Sequence, residues 1–246
     1  ENIAAFIAEP VLASGGCIVS PDGYFKKMYD VCKKNEIIFI ADEVVTGFGR
    51  LGHFFSSEEI FGVVPDIITC AKGITSGYLP LGAVLFSNKL IADLKDDSSL
   101  FFHGYTYSGH PACCAAALKN IEILKRDKIL EHVKEIEPYF FEKLNTLYEL
   151  PIVGDIRGKG LMAGIECVIN KDSKEALVLD KAIGSRIDEE SIKLGLIIRP
   201  LYHICVLSPA LIINKEQINQ LTEKLYQAIS NTIDQLKTEG LWAQNK

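Results

Sequence analysis

The stretch Ile37-Ile38-Phe39-Ile40-Ala41-Asp42-Glu43-Val44-Val45-Thr46-Gly47-Phe48-Gly49-Arg50 decides the fold. Its apolar run, residues 37–41 (IIFIA), reads as a buried strand. Two acids follow at once, and then glycines that let the backbone turn tightly. Similar short apolar runs lie around it, at residues 3–8 (IAAFIA), 66–70 (DIITC) and 81–86 (LGAVLF). Between the first two, Ser20-Pro21-Asp22 supplies an N-cap, a first-turn proline and an acid near the positive dipole end. This predicts a helix to about Lys34 with Phe25, Met28, Tyr29 and Cys32 at helical spacing. Continuous apolar strands separated by helices or long crossovers are the pattern of an α/β protein whose sheet is covered on both faces.

The second half reads differently. Residues 97–111 form a loop rich in Gly, Ser, Tyr and His, and residues 112–125 (ACCAAALKNIEILK) and about 129–148 predict two helices. Residues 152–157 and 161–167 read as a strand pair around Gly158-Lys159-Gly160. Residues 177–193 read as a helix, and 196–199 and 204–207 as short strands. A last helix at 215–236 places Ile218, Leu221, Leu225, Ile229 (or Ala228), Thr232 and Leu236 on one stripe. The domain boundary falls near residues 125–130, giving a first domain at 1–127 and a small α+β domain at 128–246.

Composition narrows the function. Of 246 residues, 48% are apolar and 24% charged, which excludes disorder, collagen and coiled coil. Thirty-two acids against 26 Lys plus Arg give a net charge of −6, which argues against nucleic acid or anionic lipid as the main partner. The apolar runs are too short to cross a bilayer. Seven cysteines form no CxxC pair and read as small buried hydrophobes in a reducing, cytoplasmic compartment. His103 and His110 lie close, but no metal-ligand spacing appears, so no metal is expected. Glu1 opens directly into a strand-like run, and we expect the C-terminal part of a longer protein, cut where a sheet is already under way.

Three passages carry chemistry. Asp42 stands at the carboxyl end of a strand, beyond which ligands of open α/β sheets bind. An acid there suits a cation such as a protonated ring nitrogen; the plainer alternative has Asp42 or Glu43 capping a helix or pairing with Arg50. Thr69-Cys70-Ala71-Lys72-Gly73 places Lys72 just past the strand at 66–70. Desolvation or nearby cations lower an amine's pKa, and a neutral lysine amine is the nucleophile for Schiff bases with aldehydes. Otherwise Lys72 is one basic residue among 26 on the surface. The loop His103-Gly104-Tyr105-Thr106-Tyr107-Ser108-Gly109-His110-Pro111 leads into a helix N-terminus, where hydroxyls and backbone N–H groups can hold a phosphate. Its alternative is a polar interdomain loop.

In order along the chain, AEP (8–10), ADEVVTGFGRLG (41–52), PDIITCAKGITSGYLPLGAV (65–84) and HGYTYSGHP (103–111) resemble class III aminotransferases. These are pyridoxal-phosphate enzymes of fold type I, and the resemblance runs from Ile3 to about Leu236. The TYSGHP wording resembles the ω-amino-acid:pyruvate and diamine:pyruvate branch. The resemblance implies part of a large-domain sheet, mixed and mostly parallel, with helices, followed by a small C-terminal α+β domain. It implies an enzyme moving an amino group from a primary amine or ω-amino acid to a 2-oxo acid such as pyruvate. By the same resemblance Lys72 forms the Schiff base with the cofactor and then shuttles the proton, and Asp42 faces the pyridine nitrogen. Val44 packs on one ring face, Thr106 reaches the cofactor phosphate of the neighbouring subunit of a homodimer, and Arg199 binds the substrate carboxylate. Arg157 is assigned a structural role.

Two positions depart from relatives acting on ornithine or γ-aminobutyrate, which usually carry Gln and Glu where Val45 and Ser14 stand here. That argues against those substrates. In this family the part before residue 1 supplies the Gly-Ser phosphate loop and the aromatic residue stacked on the ring. The expectation is that the 246-residue chain is inactive, or nearly so, on its own. Two alternatives accompany the transaminase reading: an aminomutase, racemase or decarboxylase of the same family, and a non-catalytic dimerising fragment.

Overall fold

The structure, a computed structural model, describes residues 2–93, 101–172, 175–176 and 183–241. The chain divides into two compact units, residues 1–13 with 20–132, and residues 14–19 with 133–246. The sequence places a single boundary near 125–130; here the break lies between residues 132 and 133.

In chain order the first unit holds β1 (Ala5–Ala8), β2 (Val11–Leu12), α1 (Tyr24–Lys34), β4 (Ile38–Asp42), the short α2 (Ser56–Glu59), β5 (Ile67–Cys70), β6 (Ala83–Phe86), α3 (Asn88–Asp93) and α4 (Pro111–Arg126), with β3 (Ile18–Val19) belonging to the second unit. Its sheet runs β1-β4-β5-β6. The first three strands are parallel, and β6 pairs antiparallel to β5. The sheet is thus mixed and mostly parallel. Phe39 is its inner anchor, fully buried, with Phe6, Phe25 and Tyr29 each within 5.5 Å ring to ring. Phe25 and Tyr29 come from α1, whose apolar stripe covers this face. The opposite face carries Ile7, 57% exposed, with Ile40 and Ile67 only half-buried. The expected cover on both faces is therefore present on one face among the described residues.

Helix α1 starts later than the sequence suggests. Gly23, at φ 74°, is the residue before it, and the Tyr24 amide closes a turn onto the Pro21 carbonyl at 3.0 Å. Ser20 is left outside and caps nothing; a left-handed glycine resets the start of a helix more strongly than a hydroxyl three residues upstream. Of the loop expected at 97–111, residues 97–100 lie outside the described residues.

The second unit, built around α5 (Ile129–Asn145), continues through β7 (Val153–Lys159), β8 (Met162–Asn170), β9 (Glu175–Ala176), α6 (Ile183–Lys193), β10 (Arg199–Leu201), β11 (Ile204–Leu207) and α7 (Lys215–Thr238). Strands β10-β11-β8-β7 form an antiparallel sheet, with β9 beside β8. One apolar core joins Phe140 and Leu144 of α5, Ile165 of β8, Ile187 of α6 and Leu225 and Ile229 of α7. Asn214 and Gln217 start α7 with reciprocal bonds of 2.9 and 3.0 Å. Of the helix expected at 177–193, residues 177–182 lie outside the described residues. The strand expected at 196–199 begins only at Arg199, because the Leu196 amide bonds to the Ser191 carbonyl and closes off α6. Residues 14–19 join this unit through Gly16, whose carbonyl accepts from Arg157 at 2.9 Å and lies where a side chain at Gly164 would stand, 2.6 Å from it.

Asp66, at the entry to β5, ties the first unit together: its buried carboxylate accepts from the Phe39 amide at 2.9 Å and pairs with Lys33 of α1. Burial pushes its carboxyl up, but the Lys33 ammonium and the Phe39 amide outweigh that and hold it below the usual range. A depressed carboxyl stabilises the fold above its unfolded value and loses that contribution as pH falls through its folded value. We therefore expect Asp66→Asn to cost about 1–3 kcal/mol at pH 7. In urea titrations the gap from wild type should narrow as pH drops through and below about 4; a gap independent of pH would remove the ionic role.

Candidate active site

Asp42 is the last residue of β4, and its register partner on β5 is Thr69. The ladder continues one step, with the Glu43 amide donating to the Thr69 carbonyl at 2.9 Å. Lys72 follows Thr69 by three residues, at the start of a 3-10 turn over Lys72–Ile74. Adjacent strands lie about 4.8 Å apart and a residue spans at most about 3.5 Å, so the two Cα atoms lie within about 15 Å. The alternation of β4 buries Phe39 and Ala41 against α1 and turns Asp42 to the other face, where Thr69 shares its row. Thr69 Oγ1 is buried there without a hydrogen-bond partner.

The two turns pack directly on each other. A side chain at Gly73 would come 2.9 Å from Phe48 Cβ and 3.1 Å from the Gly47 carbonyl, so only glycine fits where the Lys72 turn meets the Asp42 loop. Gly47 is tight for the same reason: its amide donates to the Glu43 carbonyl at 3.0 Å, and a side chain there would lie 2.7 Å from that oxygen.

Neighbouring acids have opposite environments. Asp42 is half-buried; its Oδ1 accepts from the Val44 amide at 3.0 Å, and Oδ2 has no partner among the described residues. Glu43 is fully buried and accepts from Thr46 Oγ1, from Ser56 Oγ at 2.8 Å and from the Ser57 amide at 2.7 Å in the first turn of α2. The helix-capping alternative thus holds for Glu43, while Asp42 keeps an open oxygen. Val44, two residues past Asp42, is half-buried with its amide locked to that carboxylate. Lys72 is exposed, makes no ion pair among the described residues, and holds φ at 40°, left-handed backbone that few side chains adopt.

Thr106 is exposed in the turn ahead of α4, which is closed by Tyr105 N to Ser108 Oγ at 2.8 Å and Ser108 N to the Tyr105 carbonyl at 2.9 Å. His110 precedes α4 without a side-chain cap bond, and Pro111 opens the helix. Arg199 belongs to the second unit; it is exposed on β10 beside Val206 and makes no ion pair among the described residues. Arg157, by contrast, is engaged by Asp155 at 2.9 Å, by Glu166 and by the Gly16 carbonyl. Burial pulls its guanidinium down, and the two carboxylates more than offset this and hold it above its ordinary value.

The sequence reading missed Asn120 and the task of Glu43. Asn120, midway along α4, donates to the carbonyls of Gly73 and Ile74 at 2.9 and 3.1 Å, both in the turn that begins with Lys72. The only signal was an amide in a helix of good helix formers, ACCAAALKNIEILK.

This donor set fits pyridoxal phosphate. A carboxylate with one open oxygen, an unpaired primary amine at the adjacent strand end and an apolar side chain beside the carboxylate are what a flat cationic heterocycle bearing an aldehyde requires. Among the described residues, no group of three or more His, Cys, Asp or Glu stands ready to hold a metal ion. Because three donors converge on buried Glu43, we expect Glu43→Ala to lower stability by about 3 kcal/mol in thermal or urea unfolding. A loss below about 1 kcal/mol would show those donors satisfied another way.

The chain matches the family model described as aminotransferase class-III over residues 1–229. It is 44% identical over 222 residues to the putrescine–pyruvate aminotransferase of Pseudomonas aeruginosa, 90% of this chain and 48% of that protein. It is 40% identical to γ-aminobutyrate transaminase 3 of Solanum lycopersicum, over 97% of this chain and 47% of that protein. The chain spans about half the length of the curated relatives it matches. Among solved structures, an (S)-enantioselective ω-transaminase from Thermomicrobium roseum superposes with a TM-score of 0.90 at 42% identity, covering 94% of this chain and 52% of that one. A PLP-bound amine transaminase from an uncultivated Pseudomonas species gives 0.88 at 39%, covering 94% and 52%. With strand order, acid and lysine in place along a match of nearly the whole chain, this chain belongs to the class III aminotransferase family.

Proposed function

We propose that the protein to which this chain belongs is a pyridoxal-phosphate-dependent aminotransferase, taking the amino group of a primary amine or ω-amino acid to a 2-oxo acid such as pyruvate. The observation that carries this is the placement of Asp42 and Lys72 at the ends of adjacent parallel strands, in a chain 44% identical to a putrescine–pyruvate aminotransferase. The putrescine–pyruvate, γ-aminobutyrate and ω-transaminase relatives above are transaminases by name, which favours transfer over the aminomutase, racemase and decarboxylase alternatives.

When bound, the cofactor supplies the electron sink that makes a C–H bond next to nitrogen acidic. The residues of this chain do the rest. Asp42 Oδ2, open while Oδ1 is held by the Val44 amide, would keep the proton on the ring nitrogen and anchor the ring. Val44 covers one ring face and keeps water from it. Lys72 Nζ would hold the aldehyde end of the cofactor and, as a primary amine, would take up and return a proton at the donor carbon, first as base and then as acid. Thr106 donates to the cofactor phosphate of a partner subunit, which makes a homodimer the working unit. Arg199 grips the substrate carboxylate with a planar guanidinium. A cytoplasmic setting suits the seven cysteines, six of them buried thiols. Among the described residues no helix is long and apolar enough to cross a membrane.

Borohydride reduction of the full-length protein loaded with cofactor, followed by peptide mapping, should place the label on Lys72. Putrescine with pyruvate should give alanine, and Lys72→Ala should lose about 10²–10⁴-fold in rate. A label on another lysine, or wild-type turnover by the variant, overturns the reading. Arg199→Ala should raise KM for pyruvate about 10–100-fold, with little change in the half-reaction of a diamine that carries no carboxylate. An unchanged KM removes Arg199 from the carboxylate site.

A further inference from the structure

We propose that Asn120 is a positioning residue for Lys72, clamping the turn that aims its amine; this rests on the reading of Lys72 as the cofactor-binding lysine. Asn120 projects from α4 and is half-buried against the 3-10 turn Lys72–Ile74. Its Nδ2 donates to the Gly73 carbonyl at 2.9 Å and to the Ile74 carbonyl at 3.1 Å, while its Oδ1 accepts from Ser76 Oγ at 2.7 Å. The orientation of the amide follows from chemistry. Two carbonyls can only accept, so both must face the nitrogen, and the hydroxyl then supplies the oxygen with a donor. One side chain thereby engages residues one, two and four positions past Lys72.

The turn requires such a clamp. Lys72 sits at φ 40° and Ser76 at φ 51°, both left-handed conformations that a lone side chain leaves readily. Of the turn's own backbone bonds, Ile74 N to the Ala71 carbonyl is 3.0 Å, but the two that follow are longer, 3.3 Å from Thr75 N to the Lys72 carbonyl and 3.2 Å from Ser76 N to the Gly73 carbonyl. On one side Gly73 lies against Phe48 and the Gly47 carbonyl, which blocks movement toward the Asp42 loop. On the other side Asn120 holds the carbonyls of Gly73 and Ile74. With both sides fixed, the direction of the Lys72 Cα–Cβ bond is set before any ligand arrives. A mid-helix asparagine has poor intrinsic helix propensity, so this contact rather than α4 itself accounts for its presence.

The test uses the full-length protein stripped of cofactor and then reloaded. Wild type, Asn120→Ala, Asn120→Asp and Ser76→Ala are compared by the rate at which borohydride fixes the cofactor on Lys72, by the pH midpoint of the bound cofactor's visible absorption, and by kcat and KM. Asn120→Ala should slow fixation at Lys72 about tenfold, the equivalent of one lost hydrogen bond. It should shift the absorption midpoint and lower kcat while KM for pyruvate stays within about twofold. Asn120→Asp, which sets a carboxylate oxygen against two carbonyls, should be worse. Ser76→Ala, which only frees the amide to rotate, should be milder and of the same sign. A merely structural asparagine would lower the melting temperature and leave the absorption midpoint unmoved, and that result overturns the proposal. If Asn120→Ala fails to fold, Ser76→Ala decides: a shifted midpoint supports the clamp and an unshifted one rejects it. A wild-type label on a lysine other than Lys72 removes the functional reading and this proposal together, whereas a label on Lys72 with unaltered variants removes the proposal alone.

Discussion

Parallel pairing of β4 with β5, in the register that sets Asp42 beside Thr69, is the constraint on which the candidate site depends. Side chains alternate along a strand, so a slip of one residue would turn Asp42 into the apolar layer that holds Phe39 and Ala41 and would expose those two instead. The register is held from both faces of the problem. Phe39 needs the aromatic side chains of α1, and the Phe39 amide needs the Asp66 carboxylate at the entry to β5. Once these are met, the acid and the lysine can emerge only at the same end of the sheet.

Pairs of like residues show how environment rather than type assigns a task. Asp42 and Glu43 are adjacent acids, yet Glu43 is sealed by two hydroxyls and an amide while Asp42 keeps an oxygen open. Arg157 and Arg199 divide in the same way. The first is held between Asp155, Glu166 and a carbonyl, and its removal would leave two carboxylates facing each other. The second stands exposed and unpaired among the described residues. A saturated polar group stabilises a fold; an unsaturated one is available to a ligand.

Much of this was legible in the chain. The runs IIFIA and DIITC became β4 and β5 within one residue at each end, because short runs of apolar and β-branched residues have few other uses in a sheet protein. The stripe Ile218, Leu225, Ile229, Leu236 is the buried face of α7. Local competition was less legible. Gly23 moved the start of α1 past Ser20, and the bond from Leu196 N to the Ser191 carbonyl delayed β10 to Arg199. The antiparallel direction of β6 had no signature in LGAVLF, since an apolar run reads the same in either direction.

By itself the sequence determined the alternating strand-and-helix architecture, the family, and the presence of an acid and a lysine just past two neighbouring apolar runs. These follow from local composition and from order along the chain, which need no partner to be read. Only the tertiary structure decided that Glu43 is sealed while Asp42 stays open, that Gly73 must be glycine because Phe48 lies 2.9 Å from where its side chain would begin, and that Asn120 reaches back 46 and 47 residues to the turn after Lys72. Contacts between residues so far apart arise from how the chain closes on itself, and no spacing or periodicity records them.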